Sequence, residues 1–404
     1  MTFDVMAVRE RFPAMRRTFE GQPVAWFDGP GGSQAPDSVI AAIAGVLEVG
    51  VSNLGGPFEA SEFGGELVHG ARAAMADFFG APSPDQIAFG QSMTSLTLSV
   101  ARSLSERWGP GDEVVLTRLD HDANVSPWLL AAARSGATVR WVDFDPESGC
   151  ALDPVESVLS DRTVHLAITH ASNAVGAIPD VATAVAAARA VGATTFVDAV
   201  HYSAHGVVDV ADLDCDFLAA SAYKFHGPHV GVLYLGDRVR DLQPERIRPA
   251  PSSSPGSWEP GTASFEALAG VTAAVDYLAS MGWGGTRRGQ LVTGIGRATR
   301  ATDVLVEHFM GALDDLAHVR LFGPPLGAPR TATFALEVDG HTPSEVQGSL
   351  ADRGIYTWAG HYYALEPLRR LGRLDSGGLL RVGFLHYNTI EEVDRLIEVL
   401  EGLG

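Results

Sequence analysis

The chain has 404 residues, 46% hydrophobic and 19% charged, with a formal net charge of −20. That balance excludes a disordered chain and suits two domains, or one large domain with a smaller companion, while the spread negative charge argues against nucleic acid or anionic membrane as a partner. Cys150 and Cys215 lie far apart with no CxxC or Cys/His spacing, so neither a disulfide framework nor a metal site is expected, and a reducing cytoplasm is the default location.

The first residues, MTFDVMAVRERFPAMRR, lack an apolar signal core, and no run of about 18 apolar residues follows anywhere. Neither export nor membrane spanning is expected. From about Ser38 to Leu235, helix-period segments (Ser61 to Gly80, Ser95 to Trp108, Val181 to Val191) alternate with short β-rich runs, EVVLTR, TVRWVDF, TVHLAITH, TTFVDA, DFLAASA and VGVLYL. That alternation predicts an α/β fold with a mostly parallel sheet and right-handed crossovers. PAPSSSPGSWEPG, residues 249–261, reads as an irregular loop, followed by a helix from about Phe265 to Ser280, a break at MGWGG and a long helix from about Thr286 to Leu316. The remainder, ending in a helix at Ile390 to Leu400, suits a smaller α+β domain.

In such sheets ligands bind beyond the carboxyl ends of the strands. The richest strand end is SAYKFHGPH, because its Lys224 is the only lysine among 29 Lys and Arg residues. Arginine serves ordinary surface charge here; what lysine adds is an amine that can lose its proton near neutral pH and attack a carbonyl. Asp198 ends the apolar run TTFV, where an unpaired carboxylate is costly and calls for a cation. A Schiff-base lysine with an aspartate facing a pyridinium nitrogen is the arrangement that makes pyridoxal 5'-phosphate an electron sink.

FGQSMTSLTLSV, residues 89–100, runs from a strand end into a helix whose free amides suit a phosphate, with Met93 and Thr94 as donors; it also comes close to a GxSxG elbow, but lacks the second glycine. GPGG and GIGRAT are too weak to read as dinucleotide loops, and no Walker A loop surrounds the sole lysine. His121 follows a strand and can lie over a flat ring. His201 and His205 have helical metal-pair spacing, but HYSAH lacks the HExxH glutamate and no metal is expected; His201 is placed instead near the phenolic oxygen of the cofactor. Arg381, starting the apolar run RVGFL, is a candidate bidentate clamp for a carboxylate.

Taken in order, these segments resemble the class V aminotransferase family of fold-type I pyridoxal-phosphate enzymes, over nearly the whole chain. WFDGPGGSQAP is similar to its amino-terminal substrate loop, DHDANVSPW to its EHHANxxPW segment, SNAVGAIPD to SNxxGxxxP, SAYK to SxHK, EPGTAS to the GTxN loop and RVGFLHYNTIEEVDRL to the carboxyl-terminal signature. The resemblance implies a large domain, residues 18–285, with a mainly parallel seven-stranded sheet, and a small α+β domain, 286–404 together with 1–17. It implies a homodimer with the active site at the subunit interface and a small amino acid as substrate. It puts Lys224 on the Schiff base, His121 on ring stacking, Asn173 on the substrate or phenolic oxygen, Ser221 and Tyr223 near the phosphate, Thr262 on the phosphate of the neighbouring subunit and Arg381 on the substrate carboxylate.

One segment departs. Where desulfurases of this family read RTGxHCAxP, with the sulfur-accepting cysteine, this chain reads WAGHYYALEP, with Tyr363 at or beside the cysteine's place and Tyr362 before it. The chain looks closest to the family's cysteine desulfurase-like branch, which includes C–S lyases, and the activity this resemblance implies is β-elimination on a cysteine S-conjugate or related amino acid in a specialised biosynthetic pathway. Tyr362 and Tyr363 would shape the pocket or protonate the leaving sulfur. Transamination, racemisation and oxidative decarboxylation or deamination on the same type of substrate remain open, as does a binding subunit with lapsed activity. Cysteine desulfuration lacks its nucleophile. His226, two residues after the lysine, receives no role.

Overall fold

The computed structural model describes residues 3–404. Its large sheet is built from Ile87–Gly90 (β1), Glu113–Thr117 (β2), Thr138–Val142 (β3), Thr163–Thr169 (β4), Thr194–Asp198 (β5), Phe217–Ser221 (β6) and Gly231–Leu235 (β7), in the spatial order β1-β7-β6-β5-β4-β2-β3. Only β7 runs against its neighbours. The strands at the centre, β5 to β7, read as nearly unbroken apolar runs because helices cover both faces, and almost every residue in them is buried. This is the α/β fold-type I architecture, with the seven strands expected from the resemblance.

A second, four-stranded antiparallel sheet joins Val319–Phe322 (β8), Thr333–Val338 (β9), Trp358–Gly360 (β10) and Leu379–Gly383 (β11) in the order β8-β9-β11-β10. The helix Ile390–Glu401 closes it, its start fixed by a Thr389–Glu392 capping box. The long helix spans Arg287–Leu313, begun by the Thr286 hydroxyl on the Gly289 amide.

The hydrophobic core does not divide at residues 285/286. Leu291, Ile295 and Ala298 in the first half of the long helix join the core under the large sheet, whereas Leu305, Val306, Phe309 and Met310 join that of the small sheet. A helix of this length presents one apolar stripe to two successive cores, so the boundary falls inside it. The amino terminus is shared in the same way. Phe12 and Met15 pack in the larger core, Ala25 and Phe27 in the smaller, and Arg9 pairs with Glu392 of the last helix at 2.8 Å. No helix among the described residues is long and apolar enough to cross a membrane.

Candidate active site

The carboxyl ends of β4, β5 and β6 deliver their side chains to one cavity. Met93, Thr94, His121, Asn173, Asp198, His201, Ser221, Tyr223 and Lys224, all singled out from the sequence, line it together with Ala123, Thr169, Ala171 and Val200. Adjacent parallel strands end at the same level, which is why residues scattered over some 130 positions converge there.

At the cavity floor the helix Met93–Ser105 begins with a capping box in which the Ser92 hydroxyl accepts from the Ser95 amide. The Met93 amide turns to the Ser221 hydroxyl at 3.3 Å, and the neighbouring first-turn amide of Thr94 is left for a ligand. Gly231 makes this approach possible, because a Cβ on it would stand 2.3 Å from the Ser92 carbonyl carbon.

Asp198 accepts from the Val200 amide through Oδ1 at 2.9 Å, which leaves Oδ2 toward the cavity. Burial pushes its carboxyl up to about 6, against the opposing effects of that hydrogen bond and of the Lys224 charge. Lys224 moves the other way: burial, helped by the Arg381 guanidinium, brings its amine down to about 7, with Asp198 and Asp28 resisting. Its Nζ donates to the Pro30 carbonyl and lies 5.1 Å from the centre of the Tyr223 ring. A lysine that is half free base at neutral pH can attack a carbonyl carbon.

His121 takes a hydrogen bond from the Ala123 amide at Nδ1, 3.0 Å, and burial, with Lys224 and Arg381 nearby, holds the ring neutral, down to about 3. Its ring lies nearly parallel to that of Tyr363, 5.6 Å between centres. His201 is also held neutral, first by burial, but its Nε2 contacts the Thr333 and Thr331 hydroxyls at 3.0 and 3.2 Å. Only Nδ1 remains for a group in the cavity.

Arg381, Tyr362 and Tyr363 are not among the residues that line the cavity; Arg381 and Tyr362 join it through Asn173. The Arg381 guanidinium donates to the Asn173 carbonyl at 3.1 Å and stacks 4.4 Å above the Tyr362 ring, while burial lowers it to about 10. Asn173 Nδ2 donates to the Tyr362 carbonyl at 3.1 Å, and its Oδ1 is buried without a partner. Tyr362 and Tyr363 both have left-handed backbones, φ 34° and 58°, a strained pair of the kind kept at functional sites. The Tyr362 hydroxyl is closed off without a partner, whereas Tyr363 is 66% exposed.

One further sequence expectation, Thr262, ends elsewhere: it stands outside the cavity, in a surface groove beside Phe89 and His229. His226 does not reach the cavity; it packs edge-on against Phe12 and adopts φ 74°, its amide on the Ser33 hydroxyl at 2.7 Å and its Nδ1 against the Gln34 carbonyl at 3.0 Å. Its role is to clasp the lysine turn to the amino-terminal loop. Sequence reading also missed Pro30, Ser33 and Asp28. Their only signal was the small-residue run GPGGS, in which a Cβ on Gly32 would meet the Tyr223 ring at 3.1 Å.

The donor set fits a flat, phosphorylated pyridine aldehyde. A free carboxylate oxygen awaits a ring N–H, an orphaned amide oxygen and a histidine nitrogen await polar ring substituents, a glycine-cleared helix start awaits a phosphate, and a poised amine awaits the aldehyde. Cys150 and Cys215 are both buried, at 0% and 4% exposure, and burial pushes the Cys150 thiol up to about 12. Among the described residues no group of His, Cys, Asp and Glu is arranged to hold a metal.

Comparison with known proteins gives the same answer. The family model for class-V aminotransferases matches residues 25–396. A "Probable cysteine desulfurase" of Mycolicibacterium paratuberculosis is 32% identical over the whole chain, which spans 58% of that relative's length. A cysteine desulfurase of Pectobacterium carotovorum is 30% identical, with 99% of this chain and 98% of the relative covered. Among solved structures, the apo cysteine desulfurase of Thermococcus onnurineus superposes with a TM-score of 0.88 at 26% identity, covering 98% of this chain and 97% of that one. The cysteine desulfurase CsdA of Escherichia coli gives 0.86 at 25%, covering 100% and 99%. On the cavity, the fold and these matches together, the chain belongs to the class V aminotransferase family, in its cysteine desulfurase-like branch, and is a pyridoxal-phosphate-dependent enzyme.

Proposed function

We propose that the enzyme cleaves the C–S bond of a cysteine S-conjugate by β-elimination. The observation that carries this reading is the loop after β10. Tyr363 falls, by the resemblance, at or beside the place of the sulfur-accepting cysteine, and both cysteines lie buried elsewhere. The relatives named as cysteine desulfurases support a sulfur-bearing amino acid as the substrate class. Pyridoxal phosphate supplies a protonated conjugated ring that accepts the electron pair left at Cα when a bond to that carbon breaks.

The chain's residues do the rest. Arg381, anchored on Asn173 and Tyr362, holds the substrate carboxylate and so fixes the orientation of Cα. Lys224, with its amine near neutral pKa, removes the Cα proton and holds it. Asp198 would hold the cofactor through its ring nitrogen, and His121 would cover the ring face. Tyr363, exposed beside His121, gives its hydroxyl proton to the departing sulfur, whereas Tyr362 braces Arg381. With water, the products are a thiol, pyruvate and ammonia. Thr262, turned away from its own chain's cavity, is left for the phosphate in a second copy.

Incubation of the loaded enzyme with an S-alkyl cysteine, and separately with cysteine, tests the reading by mass spectrometry of the products. Free thiol and pyruvate from the conjugate, with no alanine from cysteine, are expected. A keto acid that retains the C–S bond would replace elimination by transamination or oxidative deamination.

A further inference from the structure

The amino-terminal loop brings a carboxylate alongside the strand that carries Arg381. Asp28 forms a parallel bridge with Gly383, and the Gly383 amide donates to the Phe27 carbonyl at 2.9 Å. Residues in register on neighbouring strands project from the same face, as do residues two apart on one strand. The Asp28 side chain thus shares a face with Arg381. Two residues on, Pro30 gives its carbonyl to Lys224 and packs where a Gly383 Cβ would be, 2.2 Å from such an atom. The Asp28 charge thus acts on both Arg381, the residue proposed to take the substrate carboxylate, and Lys224, the residue to which the substrate nitrogen must come.

Asp28 Oδ1 is closed off from solvent and meets no hydrogen-bond donor among the described residues. A buried carboxylate oxygen left unpaired is costly, and such groups mark a missing partner. Burial raises its carboxyl to about 6, against the opposing effects of its own backbone amide first and then of the Arg381 and Lys224 charges, and Tyr387 also feels its charge.

We propose that Asp28 is the receptor for the substrate's α-ammonium group: it accepts the N–H hydrogen bond and takes one proton, leaving the nitrogen lone pair free to react and its own carboxyl neutral. Arg381 and Asp28 then read the two charges of an amino-acid zwitterion. The inference rests on the assignment of Arg381 to the carboxylate, and the test separates the two.

Calorimetry at pH 7 on the loaded protein compares L-alanine, which has no β-leaving group, with propionate, which has no amine. Asp28→Asn is expected to weaken alanine about thirtyfold or more, the usual result of removing one partner of a close charge pair, while propionate binds equally or more tightly. Asp28→Glu is expected to preserve the preference for alanine. In the wild type alanine affinity falls as pH drops through about 6 and Asp28 gains a proton, and Asp28→Asn loses that limb. Unchanged alanine affinity in Asp28→Asn, or equal loss of both ligands, would overturn the proposal. Arg381→Gln should lose both ligands; retention of propionate there would overturn the Arg381 assignment and leave the Asp28 comparison readable.

Discussion

Because Lys224 is the only side-chain amine in the protein, its titration can be followed in isolation. Burial and the Arg381 charge bring it from 10.5 to about 7. At pH 7 about half the molecules then carry the free amine, against about one in three thousand for an ordinary lysine. Removal of the cation in Arg381→Gln should raise the midpoint, and removal of the anion in Asp198→Asn should lower it, each by about one unit or more as expected for a charge at close range. Arg381 should have the larger effect because it is the stronger of the two influences. Trace acylation of the apoprotein across a pH series, read by peptide mass spectrometry with the amino terminus as internal reference, gives the midpoint independently of how fast the reagent reaches the buried site.

The same shift has a sign in stability. The unfolded chain keeps this proton up to about pH 10.4, and the folded chain only to about 7. Between those values the unfolded state holds more protons, so the contribution of this group makes apoprotein stability rise with pH across that window. Below it, both states are charged and the full burial cost remains. A labelling midpoint above pH 9 in the wild type, or shifts of the same sign in both variants, would refute the electrostatic account of the site.

Three further outcomes follow from particular contacts. Gly231→Ala places a Cβ 2.3 Å from the Ser92 backbone, so thermal unfolding should show a loss of about 1–3 kcal/mol, and equilibrium dialysis should show weaker cofactor retention as the helix start is displaced. Tyr362→Phe removes a buried hydroxyl that has no partner; stability should hold or rise by up to about 1 kcal/mol with turnover largely kept, whereas Tyr363→Phe should slow elimination about a hundredfold if its proton goes to sulfur. Neither cysteine should react with a thiol reagent in the native protein, and both should react once it is denatured, because both are buried; rapid labelling of a native thiol would reopen sulfur transfer.

The sequence carried the residues that owe their place to strand ends. Lys224, Asp198, Asn173 and His121 each follow an apolar run, and parallel strands ending at one level bring such residues together whatever the loop lengths. The residues it hid depend on contacts between distant segments. Pro30 and Ser33 lie about 190 positions from the lysine turn that they clasp, Asp28 bridges to Gly383 still farther along the chain, and nothing local in GPGGS says what the glycines make room for. His226 received no role from the sequence because only the fold reveals its left-handed backbone and its Gln34 partner. The Nε2 contacts of His201 and the inward turn of the Tyr362 hydroxyl are side-chain orientations that spacing cannot encode. The division of the core is hidden for a related reason, since one apolar stripe on the long helix serves two cores and carries no mark at the crossing.

The central claim is that Lys224 is covalently joined to pyridoxal phosphate. Borohydride reduction of the loaded protein, followed by denaturation, arginine-specific digestion and peptide mass mapping, tests it most directly. The account predicts one reduced cofactor per chain, fixed to the peptide that contains Lys224 and absent from Lys224→Ala. Release of all cofactor on denaturation after reduction, or attachment at the amino terminus alone, would contradict it.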